Sequence, residues 1–153
     1  MEGDQTCAIV AMDSSSFCYR VCAMCEKTLS EDNTCKFCNF KGLMPAGSSG
    51  GSKCLYRILL SIAVETKVFV VVCFDRAAKT LFGCSADELF DFAKINPFAV
   101  ATAGKILEGE LFRLTLSAPK NGNAEHLRVV SIVPLSSDFR PIIESLKKVY
   151  SVG

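Results

Sequence analysis

The clearest pattern lies in the middle of the chain. From Leu55 to Val64, Tyr56, Ile58, Leu60, Ile62 and Val64 alternate with Arg57, Leu59, Ser61 and Ala63. That period of two predicts a strand with one buried face. Glu65-Thr66-Lys67 is a hairpin-sized break, and the β-branched and aromatic run Val68 to Phe74 predicts the strand that pairs with it. Thr6 to Met12 predicts an earlier strand, stopped by Asp13-Ser14-Ser15-Ser16. Lys105 to Ser117 predicts a fourth, with Phe112, Leu114 and Leu116 on one face and Leu111, Arg113 and Thr115 on the other. After a turn at Pro119-Lys120-Asn121-Gly122-Asn123, His126 to Pro134 predicts a fifth.

Elsewhere the period lengthens to that of a helix. Asp75 to Phe82 predicts a short helix ended by Gly83, a residue suited to the left-handed position past a helix C-terminus. Ser85-Ala86-Asp87-Glu88 is a capping box, and behind it Ala86, Leu89, Phe90 and Ala93 share one face until Asn96-Pro97 ends the run. Phe139, Ile142, Ile143, Leu146 and Val149 form a last helical stripe within residues 138–150, with Asp138 as a cap and Pro141 in the first turn.

Between the first and second strands, Phe17 to Phe40 holds five of the nine cysteines and few aliphatic residues. A segment of that composition cannot build a hydrophobic core of its own. A flexible Gly47-Ser48-Ser49-Gly50-Gly51-Ser52 loop follows it. The whole layout predicts a mostly β protein: a five-stranded OB-fold barrel. It carries a four-cysteine insert between strands 1 and 2, short helices between strands 3 and 4, and a C-terminal helix. One domain spans residues 6–150, with the insert at 17–42.

Composition narrows the chemistry. The chain has 153 residues, half of them hydrophobic, which is enough for one real core. No apolar run approaches the roughly 20 residues of a membrane helix, so no membrane partner is expected. The formal net charge is +1, so any contact with a polyanion must come from local patches. The N-terminal Met-Glu-Gly-Asp-Gln lacks the features of a signal peptide, and an odd number of cysteines argues against a full disulfide framework. The thiols are therefore expected in a reducing compartment.

Cys22-x2-Cys25 and Cys35-x2-Cys38, nine residues apart, carry the sharpest signal. Each C-x2-C turn aims two thiolates at a point about 2.3 Å away, and two such turns complete a tetrahedral, structural Zn2+ site. Metal binding would then fold a segment that has no core. The other readings are four unrelated buried cysteines or a redox C-x-x-C. Cys7, Cys18, Cys54, Cys73 and Cys84 show no second ligand spacing and read as small buried side chains. His126 is the single histidine and the only base available to a nucleophilic cysteine. The carboxylate pairs Asp87-Glu88 and Glu108/Glu110 read as a helix cap and a solvated strand start, and no phosphate-binding loop or metalloprotease motif is present. No enzyme and no small-molecule substrate are expected.

Phe17-Cys18-Tyr19-Arg20-Val21-Cys22 followed by the paired C-x2-C motifs resembles the C-terminal DNA-binding domain of the replication protein A large subunit. Tyr56-Arg57-x-x-Leu60-Ser61, Val71-Val72-Cys73-Phe74, Ala78-x-x-Leu81-Phe82-Gly83 and Val130-x-Ile132-x-Pro134 resemble later parts of that family in order. The chain is also similar to the N-terminal OB domain of the Noxin family of DNA-damage-induced apoptosis suppressors. Ser15-Ser16-Phe17, Cys22-x2-Cys25, Tyr56-Arg57 and Thr80-Leu81-Phe82-Gly83 carry that likeness. The first resemblance implies an OB fold with a zinc ribbon that binds single-stranded DNA in replication, repair or recombination, and hence a nuclear protein.

OB folds bind strands with cations for phosphates and flat side chains for bases. The candidates are Lys36, Phe37, Lys41 and Lys53 around the insert, Arg57 and Arg113 facing outward on strands, and Lys120 in the last turn. The alternative is an assembly scaffold with little DNA affinity. In the replication protein A family the helix after this domain joins a bundle of subunits. The resemblance therefore implies that Phe139, Ile142, Ile143, Leu146 and Val149 could meet other OB-fold subunits rather than the chain's own barrel. Replacing Cys22 and Cys25 by serine is expected to abolish zinc binding, measured by atomic absorption, and to unfold the insert. Native folding of that variant without metal would overturn the zinc reading.

Overall fold

The computed structural model describes residues 3–22, 52–119 and 126–151. Its strands are β1 (Gly3–Met12), β2 (Cys18–Cys22), β3 (Ser52–Val64), β4 (Lys67–Phe74), β5 (Leu111–Ser117) and β6 (Leu127–Pro134). Its helices are α1 (Asp75–Phe82), α2 (Ala86–Ile95), α3 (Ala99–Leu107) and α4 (Ile142–Val149). The sheet runs β1-β5-β6-β4-β3-β2, and a further pairing of β1 with β3 closes five of the strands into a barrel. β4 and β6 are parallel, and the other pairings are antiparallel. This is the Greek-key barrel expected from the order of elements.

β1 closes the barrel by serving two neighbours. Its Gly3–Ala8 portion pairs with β5, and its Ala8–Met12 portion pairs with β3. One extra residue, Val10, interrupts the second register and bends the strand from one neighbour to the other. The inward face of β3 is Tyr56, Ile58, Leu60, Ile62 and Val64, all buried as the alternation predicts. Ile9, Val71, Cys73, Phe112, Leu114, Leu116, Val129 and Ile132 face them across the barrel. Each fully buried aliphatic side chain of this kind contributes about 1.5–3 kcal/mol.

The helices between β4 and β5 close one end. α1 ends at Gly83, whose φ of 76° is left-handed and whose N–H donates to Lys79 O. A Cβ there would collide with Pro141, so glycine is required twice over. Ser85 Oγ accepts from Glu88 N at 3.1 Å, so the predicted cap forms, with the Glu88 carboxylate on the Ser85 hydroxyl. Tyr56 Oη donates toward Cys84 O and Ser85 O at 3.0 and 3.1 Å, and its ring stacks on Phe82. A core strand is thereby tied to the α1–α2 junction.

Several boundaries differ from those predicted. The strand placed at Lys105–Ser117 begins only at Leu111, because α3 occupies Ala99–Leu107. Ala99, Val100, Ala103, Gly104 and Leu107 form its buried stripe, and Gly109 at φ 83° makes the turn into β5. Small residues carry little hydrophobic weight, which hid this helix in the pattern. The start of the 17–42 segment is a strand, β2, paired with a β3 that begins three residues earlier than the alternation indicated. The last helix is Ile142–Val149 with Pro141 at its N-cap position. Asp138 does not cap it and instead donates its N–H to Ser136 Oγ.

The N–H groups of Cys54 and Tyr56 lie beyond the last β4 partner, which is Phe74 opposite Arg57. Asp75 Oδ1 accepts from Tyr56 N at 3.0 Å, and both Asp87 oxygens accept from Cys54 N at 3.1 and 3.2 Å. Two helix side chains thus continue the ladder where the strand stops. Asp87→Ala is expected to destabilise the fold by about 1–3 kcal/mol in urea denaturation, the cost of a part-buried donor left unpaired. Asp87→Asn, which keeps an acceptor oxygen, is expected to lose less.

Candidate nucleic-acid interface

The outward face of β3 is read from its pairing. Lys53 stands opposite Val21, Leu55 opposite Tyr19, Arg57 opposite Phe74, and Leu59 opposite Val72. Arg57 is exposed, while Tyr19, Lys53 and Phe74 are half-buried. Arg57 makes no ion pair or side-chain hydrogen bond among the described residues. The arrangement is one cation opposite an aromatic residue, Phe74, with a second, Tyr19, one outward row along and a second cation, Lys53, further along the strand. The sequence reading named Lys53 and Arg57 but missed Tyr19 and Phe74. Tyr19 lies in a segment not read as a strand, and only the strand pairing brings it and Phe74 beside Arg57.

Arg113 is exposed on β5, opposite Val133 of β6. β6 and β4 separate it from β3, so it stands three strands from Arg57 round that side of the barrel. Lys36, Phe37, Lys41 and Lys120 lie outside the described residues.

Of the four predicted zinc ligands, Cys22 is described, buried at the end of β2 opposite Ser52. Cys25, Cys35 and Cys38 lie outside the described residues. Among the described residues no three His, Cys, Asp or Glu side chains are grouped to hold a metal. The described cysteines are buried except for half-buried Cys18. Burial pushes Cys7 up to about 11 and Cys73 up to about 12. Burial, followed by the neighbouring Cys54, pushes Cys18 up to about 12. Such thiols are protonated at neutral pH and are not nucleophiles.

The C-terminal stripe packs into the chain's own core, beside α1 and α3. Ile142, Ile143 and Leu146 are buried in the core, and Phe139 packs edge-on against Phe112 at 5.2 Å. Val149 alone of the five is exposed, at 59 %. The largest exposed side chains nearby are Ile95 and Phe98, where α2 turns into α3. No helix among the described residues is long and apolar enough to cross a membrane.

The family described as Replication factor-A C terminal domain matches residues 4–133. The chain belongs to this family. Two solved structures share the fold of this replication factor-A domain. One is a replication protein A heterotrimer bound to ssDNA, at TM-score 0.63 and 17 % identity over 89 % of this chain and 33 % of that one. The other is yeast RPA bound to ssDNA, at TM-score 0.59 and 17 % identity over 97 % of this chain and 84 % of that one. The chain thus spans a third of the length of the first. A comparison with curated proteins finds no match.

The raised Cys73 thiol has a consequence for stability. Between its ordinary value of 9.0 and about 12 the unfolded thiol ionises while the folded one does not. Its contribution is full below pH 9 and is lost as the pH rises toward 12. In native protein at pH 8, Cys73 is expected to resist iodoacetamide and to react fully once denatured, as read by peptide mass spectrometry.

Proposed function

We propose that this replication factor-A domain is a single-stranded DNA-binding module, without catalysis of its own, that acts in DNA replication, repair or recombination in the nucleus. The observation that carries this reading is Arg57, exposed opposite Phe74 on the β3–β4 face, with Tyr19 one outward row along. OB folds bind strands on this pair of strands, using cations for phosphates and rings for bases. Both solved relatives were captured with ssDNA, which supports the same ligand class.

A structural Zn2+ held by Cys22, Cys25, Cys35 and Cys38 belongs to the same reading. Four thiolates at C-x2-C spacing are the donor set of a closed zinc site, with no position left for a reacting water. The metal would order the chain that leaves β2 at Cys22, close to Lys53.

Assembly with other OB-fold subunits is a second reading, supported by the exposed apolar side chains Ile95, Phe98 and Val149 and by the heterotrimeric relative. Fluorescence anisotropy with labelled oligo-dT, duplex DNA as control and two salt concentrations separates the two. Salt-sensitive, strand-selective binding at micromolar concentration or tighter is expected. Arg57→Ala and Tyr19→Ala are each expected to weaken it by about 1–3 kcal/mol. Zinc-loaded, folded protein that fails to bind at low salt would leave assembly as the function.

A further inference from the structure

The two buried side-chain polar atoms without a hydrogen-bond partner among the described residues are Ser117 Oγ and Arg128 Nε. They are not scattered. Ser117 and Arg128 are direct partners in the β5–β6 register, so both atoms belong to one spot on the barrel. Buried polar atoms left unpaired cost stability and are uncommon in folded proteins, and two side by side call for a physical reason. Arg128 also makes no ion pair among the described residues.

The register places this spot next to the face already described. Arg128 of β6 stands opposite Val72 of β4, and Val72 stands opposite Leu59 of β3. The next outward row holds Phe74 and Arg57. Two strand spacings and one row separate the Arg128 and Arg57 backbones by about 12 Å. Val72 is only 6 % exposed between Leu59 and Arg128, and an arginine stem that covers it buries Nε with it.

We propose that Arg128 is a phosphate-binding residue that carries a single strand from the β3–β4 face onto β6, a step that rests on the single-stranded DNA reading above. When a phosphate arrives, the Arg128 side chain turns outward and uncovers Nε; Nε and a terminal nitrogen then take its oxygens as a paired fork, and the donor left unsatisfied in the free protein gains its acceptor. Ser117, beside it, offers a hydroxyl to the same group. The unpaired atoms are thus a feature of the free state that binding removes.

Arg128→Met, which keeps the covering stem and removes the charge, separates this role from a structural one. Its Tm is expected to equal or exceed that of the parent chain. Its oligo-dT affinity is expected to fall several-fold, and the slope of log K against log salt to become shallower by about 0.7, one phosphate's worth on a single strand. Arg128→Lys is expected to restore the slope, because an ammonium also serves a phosphate. A lower Tm for Arg128→Met would mean that the guanidinium is fixed structure, bridged by water or otherwise, and would overturn the proposal. Parent-like affinity and slope in the folded variant would overturn it too, while leaving the wider reading intact. A loss confined to one base type at unchanged slope would assign a base contact in place of a phosphate. Failure of the parent chain to bind single strands would remove both readings together.

Discussion

The N–H groups of Cys54 and Tyr56 point past the end of β4, and the carboxylates of Asp87 and Asp75 receive them. Much of the structure hangs on this continuation of the ladder. β3 is longer than any neighbour and pairs with β4 along one edge and with β2 and then β1 along the other. Without acceptors beyond Phe74, its first residues would expose one edge to fraying. With them, β3 extends as one strand and offers its other edge to β2. The same two aspartates lie in the first turns of α1 and α2, where negative charge is favoured by the helix dipole. One pair of side chains therefore seats two helices and lengthens a strand.

That extension builds the candidate interface. Arg57 sits where the backbone passes from β4 pairing to β2 pairing, with Phe74 on one side and Tyr19 one position along on the other. Shortening β3 to the predicted Leu55 start would remove Lys53 from the sheet and unseat much of β2. The interface and the capping aspartates lie on opposite consequences of one strand: its inward face fills the barrel, its unpaired edge is capped, and its outward face carries the cation and rings. A site on rigid strands holds its geometry better than one on loops, which suits recognition of a flexible polyanion by a preformed surface.

The C-terminal helix illustrates how a core competes with an interface. Its apolar stripe was equally compatible with a partner or with the barrel, because amphipathicity records that a face is buried and not by what. Here Ile142, Ile143 and Leu146 are buried in the core where α4 packs on α1 and α3, and Pro141 closes on Gly83. The tie from Gly83 to Pro141 joins the α1 turn to the entry of α4, so the helix is part of the fold. Exposed apolar surface is left at Ile95, Phe98 and Val149 instead.

The amino-acid order alone determined the elements whose pattern is strong and local. The alternation of Tyr56 to Val64 specified the buried face of β3, Gly83 the end of α1, Ser85 the start of α2, and the sequence of elements the OB barrel. Each follows from a short-range rule, either side-chain period or backbone preference, that needs no distant partner. Helix α3 escaped because three of its five buried residues are alanine or glycine, and β2 because a cysteine-rich segment read as an insert. Only the tertiary structure decided that Phe74 stands opposite Arg57 with Tyr19 one outward row along, and that Arg128 and Ser117 are cross-strand partners. Those relations are set by register between strands far apart in the chain. Hydrophobic alternation fixes which face a residue occupies but not which residue it stands beside, because every shift by two keeps the same faces buried.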